Sequence, residues 1–193
     1  MNIITHALAG WCAGSRISQH RNEVAVVAAS SVIPDIDGMG ALVDLCRGGE
    51  AELFSEYHHR FGHCLPFGLF LAIAVFILFR KNVRLALWCL AVFHFHLLCD
   101  VVGAMGPDGY NWPVFYFYPF SDYGVTWSGQ WEINGWQNIV FTVALLLDFL
   151  YQAAQKGFSP VSFISEKADN AFVKTVQQRL KINILYEAQK PDE

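Results

Sequence analysis

Charged residues are scarce in this chain of 193 residues: Asp, Glu, Lys and Arg together make up 16%, whereas hydrophobic residues make up 54%. An ordinary soluble domain carries about 25% charged residues, so this balance predicts a membrane protein. The chain also lacks a basic excess, since its formal net charge is −4. We therefore do not expect it to bind nucleic acid. The length suits a single domain.

The cysteines lack the arrangement of a structural metal site. Five are present, at positions 12, 46, 64, 89 and 99, and no two of them form a Cys-x-x-Cys pair. Thiolate zinc sites and disulfide frameworks both leave characteristic spacings in a sequence, so neither is expected here. Most of these cysteines fall in apolar runs, which favours a role as small buried hydrophobic residues.

Apolar residues are gathered into five segments, which cover residues 3–14, 24–36, 65–79, 85–102 and 139–154. A membrane-spanning helix needs about 20 apolar residues, with a range of about 17 to 25. Two of the segments reach that length if their flanking residues are included. The first two segments, 3–14 and 24–36, predict shorter helices that pack against the others. We therefore expect an all-α, polytopic membrane helix bundle of four to five helices. Buried helices of a soluble core would give a similar pattern, and they are the alternative.

Lysine and arginine are absent from residues 103–137, a long loop that is rich in aromatic residues. Basic residues occur instead between the earlier segments and after the last one, at Arg16, Arg21, Arg80, Lys81, Arg84 and onward from Lys156. The positive-inside rule places these groups in the cytoplasm and the aromatic loop outside. Aromatic side chains favour the membrane–water boundary, so the loop is either an interfacial anchor or a lid or wall for an amphipathic substrate.

The chain changes character near residue 156. Phe172, Val176, Leu180 and Ile184 recur at helical spacing with charged residues between them. This pattern predicts a C-terminal amphipathic helix that lies on the bilayer or docks on a partner. We therefore divide the chain into a membrane-embedded metal-site domain, residues 1–155, and a cytoplasmic amphipathic tail, residues 156–193.

Eight ionisable residues lie in or beside the apolar segments, where charge is costly and usually marks function. They are His6, Asp35, Asp37, His58, His59, His63, His96 and Asp100. The topology above brings all eight to one side of the membrane, the outer one. We therefore predict that they gather around metal at the outer face of the membrane.

The spacing of these residues suggests how they meet. His96 and Asp100 are four residues apart, as are His59 and His63, and on a helix each pair shares one face. His58 offers another ligand if the backbone before His63 is not fully helical. His94 falls on a different helical face from His96, so we expect it in the core or behind the ligands.

Two further features of the sequence concern helix ends. Asp35 and Asp37 follow a helix end in a turn that can aim both carboxylates at metal, and local capping of that turn is the alternative. Thr5 is the expected N-cap of the first helix, which carries His6.

Histidine and aspartate without paired cysteine suit zinc, manganese or iron at a catalytic site. The candidates outnumber the ligands of one tetrahedral ion, which predicts two ions, or one ion whose histidines are oriented by further carboxylates. A metal-activated water would then hydrolyse an ester or phosphoester, with Asp35 or Asp37 as the proton shuttle. Arg60 would bind an anionic group of the substrate. Contact of Arg60 with a lipid head group or a loop carboxylate is the alternative.

Four motifs occur in an order that resembles the YdjM-like family of LexA-regulated, membrane-bound metal-dependent hydrolases. They are Thr5-His6-x-x-x-Gly10, Pro34-Asp35-x-Asp37, His58-His59-Arg60-Phe61-Gly62-His63 and His96-x-x-x-Asp100, and the resemblance covers about residues 3–120. It implies an inner-membrane location and a metal-dependent hydrolase that uses His6, Asp35, Asp37, His63, His96 and Asp100. The family's usual central motif, His-Arg-Gly-x-Thr-His-Ser, differs here. Alignment on His63 selects His58 as its first histidine, whereas alignment on Arg60 selects His59.

The sequence therefore predicts a membrane-bound metal-dependent hydrolase of an ester or phosphoester. Its expected partners are membrane lipid and a lipid or small-molecule substrate. The alternative is a metal-binding membrane protein without enzyme activity, such as a transporter or sensor. A transporter should carry metal-type residues across the membrane, but apart from Asp148 they stop at one side. A third hypothesis is that the histidines stabilise the fold or relay protons without metal.

Overall fold

The computed structural model describes residues 1–48, 52–106 and 109–182, and the fold of this part of the chain is all-α, as expected. The α-helices are α1 (Ile3–Ile17), α2 (Arg21–Ser30), α3 (Gly40–Arg47), α4 (Glu52–Tyr57), α5 (Leu65–Leu78), α6 (Val83–Gly103), α7 (Trp136–Lys156) and α8 (Glu166–Leu180). Short 3₁₀ helices cover Ile33–Met39 and Pro160–Phe163.

Two of the described helices, α6 and α7, are long and apolar enough to cross a membrane. A third candidate span is formed by α2 together with residues 33–47, which are bent by 47° relative to it. The apolar helix α5 is shorter, with 14 residues. The described residues therefore contain two to three candidate spans, and the finer expectation of four to five membrane helices stays a prediction.

The chain forms two compact units, Met1–Leu145 and Leu146–Glu193. In the second unit, α8 is helical where the spacing predicted a helix, and it buries Val173 and Val176 while Leu180 is exposed. Ile184, the last member of the predicted stripe, lies outside the described residues. The functional division into residues 1–155 and a cytoplasmic tail stays a prediction.

In the first unit, the helix ends explain why distant segments can share a site. Helices α1 and α2 pack together, α2 also contacts α6, and α5 packs on α6. Their core contains Val27, Val75, Leu85, Cys89 and Val92. Candidate site residues lie where α1 and α5 begin and where α2 and α6 end. Antiparallel neighbours bring those four ends to the same end of the unit.

Helix α1 begins three residues earlier than an N-cap at Thr5 would place it. Asn2, rather than Thr5, is the N-cap, and its side chain accepts a hydrogen bond from the Thr5 N–H at 2.9 Å. The Thr5 hydroxyl donates to the same Asn2 oxygen and also lies 2.6 Å from the Thr142 hydroxyl oxygen. The expectation for Thr5 was wrong because the preceding Asn is the stronger cap and adds one turn to the helix.

Close contact between α1 and α2 depends on Gly10. A Cβ atom at this position would lie 2.6 Å from Ser31 Cβ and 2.8 Å from Ala28 Cα. Small residues let two helix backbones approach in this way, which is common in membrane proteins. The contact also fixes His6 relative to Ser31, since the Ser31 hydroxyl donates to the His6 carbonyl at 2.9 Å.

We therefore expect Gly10→Ala to destabilise the protein by about 1–3 kcal/mol, the usual cost of overpacking a filled interior. Thermal unfolding in detergent would measure the change. Ala7→Ser is the matched control, because Ala7 is only half-buried on the same helix. Equal unfolding temperatures for the two variants would contradict the tight α1–α2 contact.

Candidate metal centre

The 3₁₀ helix Ile33–Met39 places Asp35 and Asp37 beside the same histidine. His63 Nδ1 lies 2.9 Å from Asp37 Oδ2, and His63 Nε2 lies 3.7 Å from Asp35 Oδ1. Pro34 occupies the first turn of this short helix, where its missing N–H costs nothing. The two carboxylates, although only two residues apart, thus reach the two nitrogens of one imidazole ring.

His58, His59 and His63 lie in an irregular turn between α4 and α5. The helical pairing expected for His59 and His63 is therefore wrong, and His59 has a left-handed backbone with φ of 68°. Gly62 allows the turn to press against the 3₁₀ helix, because a Cβ there would lie 2.0 Å from the Pro34 carbonyl oxygen. The Gly62 N–H donates to Asp37 Oδ2 at 3.0 Å. Asp37 thereby holds the turn in place.

On α6, the four-residue spacing acts as predicted. His96 Nε2 lies 2.9 Å from Asp100 Oδ2, and both side chains are buried. His94 points elsewhere: its Nδ1 bonds to the Leu90 carbonyl at 2.8 Å and its Nε2 lies 2.9 Å from the Tyr116 hydroxyl. Among the residues described, His94 joins none of the ligand groups.

The hydrogen bonds of His96 and His63 fix which ring nitrogen carries the proton. His96 Nδ1 lies 2.8 Å from the Ser31 carbonyl oxygen, which can only accept, so Nδ1 must donate. His63 Nδ1 donates to the Asp37 carboxylate in the same way. In each neutral ring the lone pair is therefore on Nε2. These two Nε2 atoms face each other at 3.0 Å, so positive charge is needed beside them, from a proton or from metal.

Asp100 supplies negative charge at the same point. Its Oδ2 is buried 2.9 Å from His96 Nε2 and 3.4 Å from His63 Nε2, although it accepts no well-aligned hydrogen bond among the described residues. Its Oδ1 lies 3.1 Å from His6 Nε2 and also contacts the Met1 amino group. Two imidazole nitrogens and a carboxylate oxygen that face one another in a buried site repel unless positive charge lies beside them. Together they are a donor set that fits a divalent cation.

All eight predicted candidates fall into three overlapping groups, in each of which the ligand atoms lie within 4.8 Å of one another. The groups are His6, Asp35, His96 and Asp100; His59, His63 and Asp100; and Asp37, His58 and His63. Because His63 and Asp100 each belong to two groups, the three form one continuous cluster. Both His58 and His59 are part of it, with ring centroids 5.4 and 4.6 Å from that of His63.

The two buried histidines of the turn, His59 and His63, have pKa values shifted in opposite directions. Burial disfavours a charge on His63, but the adjacent carboxylates of Asp100 and Asp37 outweigh it and raise the pKa of His63 to about 9. Burial lowers the pKa of His59 well below its usual value, so that ring is neutral. His59 Nδ1 is buried with no hydrogen-bond partner in the described part of the chain. His59 therefore has an uncharged ring with a free nitrogen atom.

Several residues that support the cluster were not predicted. Ser31 lies in the second apolar segment, and its carbonyl orients His96. Gln130 donates from Nε2 to the Asp100 carbonyl at 2.8 Å, and thus ties the aromatic loop to the end of α6. The Trp112 ring packs against His58 and His59, with centroid distances of 5.6 and 5.7 Å. No local spacing in the sequence marks Gln130 or Trp112, because their contacts are long-range.

Arg60 contacts the aromatic loop. Its guanidinium carbon lies 4.2 Å from the centre of the Phe115 ring, and its Nη1 lies 3.5 Å from Asp122 Oδ1. These contacts agree with the loop-carboxylate alternative. A role for Arg60 in substrate binding stays a prediction.

Asp37→Ala should weaken metal binding by about 10–100-fold, the usual cost of removing a carboxylate that orients a ligand histidine. The physical reason is that His63 would lose the acceptor for its Nδ1 proton. Competition with a chelator, using the purified protein, would measure the affinity. Asp44→Ala is a suitable comparison, because Asp44 is also buried but bonds to the Phe54 N–H. An unchanged affinity for Asp37→Ala would contradict the orienting role.

Helices that can cross a membrane, together with a buried histidine–aspartate cluster at one end of a helical unit, define an integral membrane protein with a candidate metal centre. The chain belongs to the YdjM inner membrane protein family, whose family model matches residues 1–168. The resemblance drawn from the four motifs is thus confirmed, and it extends beyond residue 120 through α7. Comparisons with curated proteins and with solved structures find no match.

Proposed function

We propose that this inner-membrane protein is a metal-dependent hydrolase that cleaves an ester or phosphoester of a lipid or envelope component. The observation that supports the proposal is the pair of Nε2 atoms from His63 and His96, which face each other at 3.0 Å beside the buried Oδ2 of Asp100. Histidine and carboxylate donors without thiolates suit zinc, with manganese or iron as alternatives. The overlapping ligand groups favour two ions over one.

Some residues of the cluster would bind metal, and others orient the ligand rings. His6, His96 and Asp100, with Asp35, would hold one ion, and His59, His63 and Asp100 would hold a second. Such an ion would supply a water of pKa about 7 and polarise the ester group. The Ser31 carbonyl and Asp37 orient the ligand rings through their Nδ1 protons.

Asp35 is the residue of the first group that substrate can reach. Its side chain is 16% exposed, whereas those of His6, His96 and Asp100 are at most 2% exposed. Asp35 can therefore accept the proton when the oxygen of water bonds to the phosphorus or carbonyl carbon. The ester bond to the leaving oxygen then breaks, and that oxygen takes the proton from Asp35.

The location proposed for this chemistry is the outer face of the inner membrane, in a multi-pass protein. The support is the absence of Lys and Arg from residues 103–137, which contact the cluster through Trp112 and Gln130. Cytoplasmic loops carry most basic residues, so a loop without them favours the outer side.

The test is hydrolysis by the purified protein in lipid nanodiscs, with metal content measured by elemental analysis. We expect turnover of a phospholipid or another ester in a broad panel, its loss with a chelator and its return with the metal. Full metal occupancy without turnover of any substrate would contradict the hydrolase. In that case, metal uptake into proteoliposomes would identify a transporter. A protein without metal would support the structural or proton-relay hypothesis.

A further inference from the structure

Helix α3 buries a charged residue and exposes apolar ones, which is the reverse of a helix on a water-soluble surface. Asp44 is turned inward and is 6% exposed, and its Oδ2 accepts a hydrogen bond from the Phe54 N–H at 2.9 Å. Leu42 and Leu45 are turned outward and are 57% and 77% exposed. An amphipathic helix on a water-soluble surface shows the reverse arrangement. The outward face of α3 is therefore suited to hydrocarbon.

This outward face is continuous with the candidate metal centre. The 3₁₀ helix Ile33–Met39 leads directly into α3, and it exposes Ile36 and Met39 as well. We name this surface the apolar ridge; it consists of Ile36, Met39, Leu42, Val43 and Leu45. Ile36 stands between the two carboxylates of the cluster, Asp35 and Asp37. The ridge thus borders the cluster at Asp35, the member of its ligand group whose side chain is partly exposed.

The bilayer is the surface that matches the ridge. The chain belongs to an inner membrane protein family, and α2 with residues 33–47 is long and apolar enough for one span but is bent by 47°. A bend of that kind turns the chain from the direction of a span toward the plane of the membrane. Arg47 ends α3 at an exposed position, where a cation can reach lipid phosphate. Exposed apolar patches of this kind mark membrane or partner contact.

We infer that the apolar ridge lies within the bilayer leaflet nearest the metal centre, and that the substrate is a membrane lipid whose head-group ester reaches Asp35 without leaving the bilayer. The position of the ridge stands independently, whereas the substrate class rests on the proposed hydrolase function. A lipid held by its acyl chains along the ridge would have its polar bond at the open side of the cluster.

The first test uses Cys46, which is exposed on α3, whereas the other four cysteines are buried. A bimane probe on Cys46 of the full chain in nanodiscs would be exposed to nitroxide-labelled phosphatidylcholine or to aqueous iodide. We expect the nitroxide lipid to quench the fluorescence and iodide to have little effect. Strong quenching by iodide without quenching by nitroxide lipid would overturn the inference, whatever the protein hydrolyses.

The second test concerns the substrate. The double variant Leu42→Gln, Leu45→Gln should lose most of its hydrolysis of bilayer phospholipid but keep its hydrolysis of a soluble ester with the same type of bond. Leu78→Gln is the matched control, because Leu78 is 76% exposed at the far end of α5. Equal loss on both substrates, or equal loss in the control, would overturn the lipid-substrate part of the inference.

The two proposals fail in different ways. If no ester is hydrolysed by the metal-loaded protein but nitroxide lipid quenches the Cys46 probe, the hydrolase proposal is wrong and the ridge is confirmed in the leaflet. If hydrolysis occurs but the probe responds only to iodide, the hydrolase proposal stands and the ridge inference is wrong.

Discussion

His63→Ala should remove most of the bound metal from the purified protein. His63 belongs to two of the three ligand groups, and its Nε2 lies 3.0 Å from that of His96. The loss should exceed the roughly 10–100-fold fall in affinity that follows removal of an orienting partner, because a ligand itself is lost. Elemental analysis after dialysis against a weak chelator would give the metal-to-protein ratio for the variant and the unmodified chain.

The control for this prediction is His94→Ala. His94 lies on α6 only two residues from His96, but it bonds to the Leu90 carbonyl and the Tyr116 hydroxyl. The His94→Ala protein should therefore bind as much metal as the unmodified chain. Thermal unfolding of both variants would show whether each is folded when its metal is measured. Unchanged metal content in a folded His63→Ala protein would exclude His63 as a ligand and support its action as a structural or proton-relay residue.

The main helices were predictable because their signals are local. The predicted segments 85–102 and 139–154 lie within α6 (Val83–Gly103) and α7 (Trp136–Lys156). Hydrocarbon-like composition over about 20 residues leaves few alternatives to a helix. The start of α1 was less predictable, because Asn2 and Thr5 are both capable caps and only the folded chain selects Asn2.

The meeting of distant side chains at one site was also predictable, but for a topological reason. Successive apolar segments reverse direction, so residues at alternate helix ends, such as His6 and Asp100, return to the same end of the unit. The local geometry of the turn around His59 was not predictable, because its left-handed backbone depends on the Gly62 contact with Pro34 and the hydrogen bond from the Phe115 N–H. Such contacts join segments far apart in sequence and leave no periodic pattern.

Asp35→Asn should reduce the rate of hydrolysis by about 10²–10⁴-fold, the usual contribution of a general base. It should remove less of the bound metal than His63→Ala does. The amide cannot accept the proton of water, but it preserves the volume of the side chain beside His63 and His96. His6, His96 and Asp100 remain to hold an ion in the same group. Initial rates on a phosphoester, divided by the measured metal content of each preparation, would separate the two effects.

The matched control is Asp122→Asn, which makes the same chemical change at a carboxylate that is 84% exposed and paired with Arg60. Its rate per bound metal should equal that of the unmodified chain. A rate per bound metal for Asp35→Asn that is also unchanged would mean that Asp35 acts only as a ligand. The proton acceptor would then have to be found elsewhere in the cluster. Asp37 could take that role only by giving up its hydrogen bonds to His63 and the Gly62 N–H, which hold the turn in place.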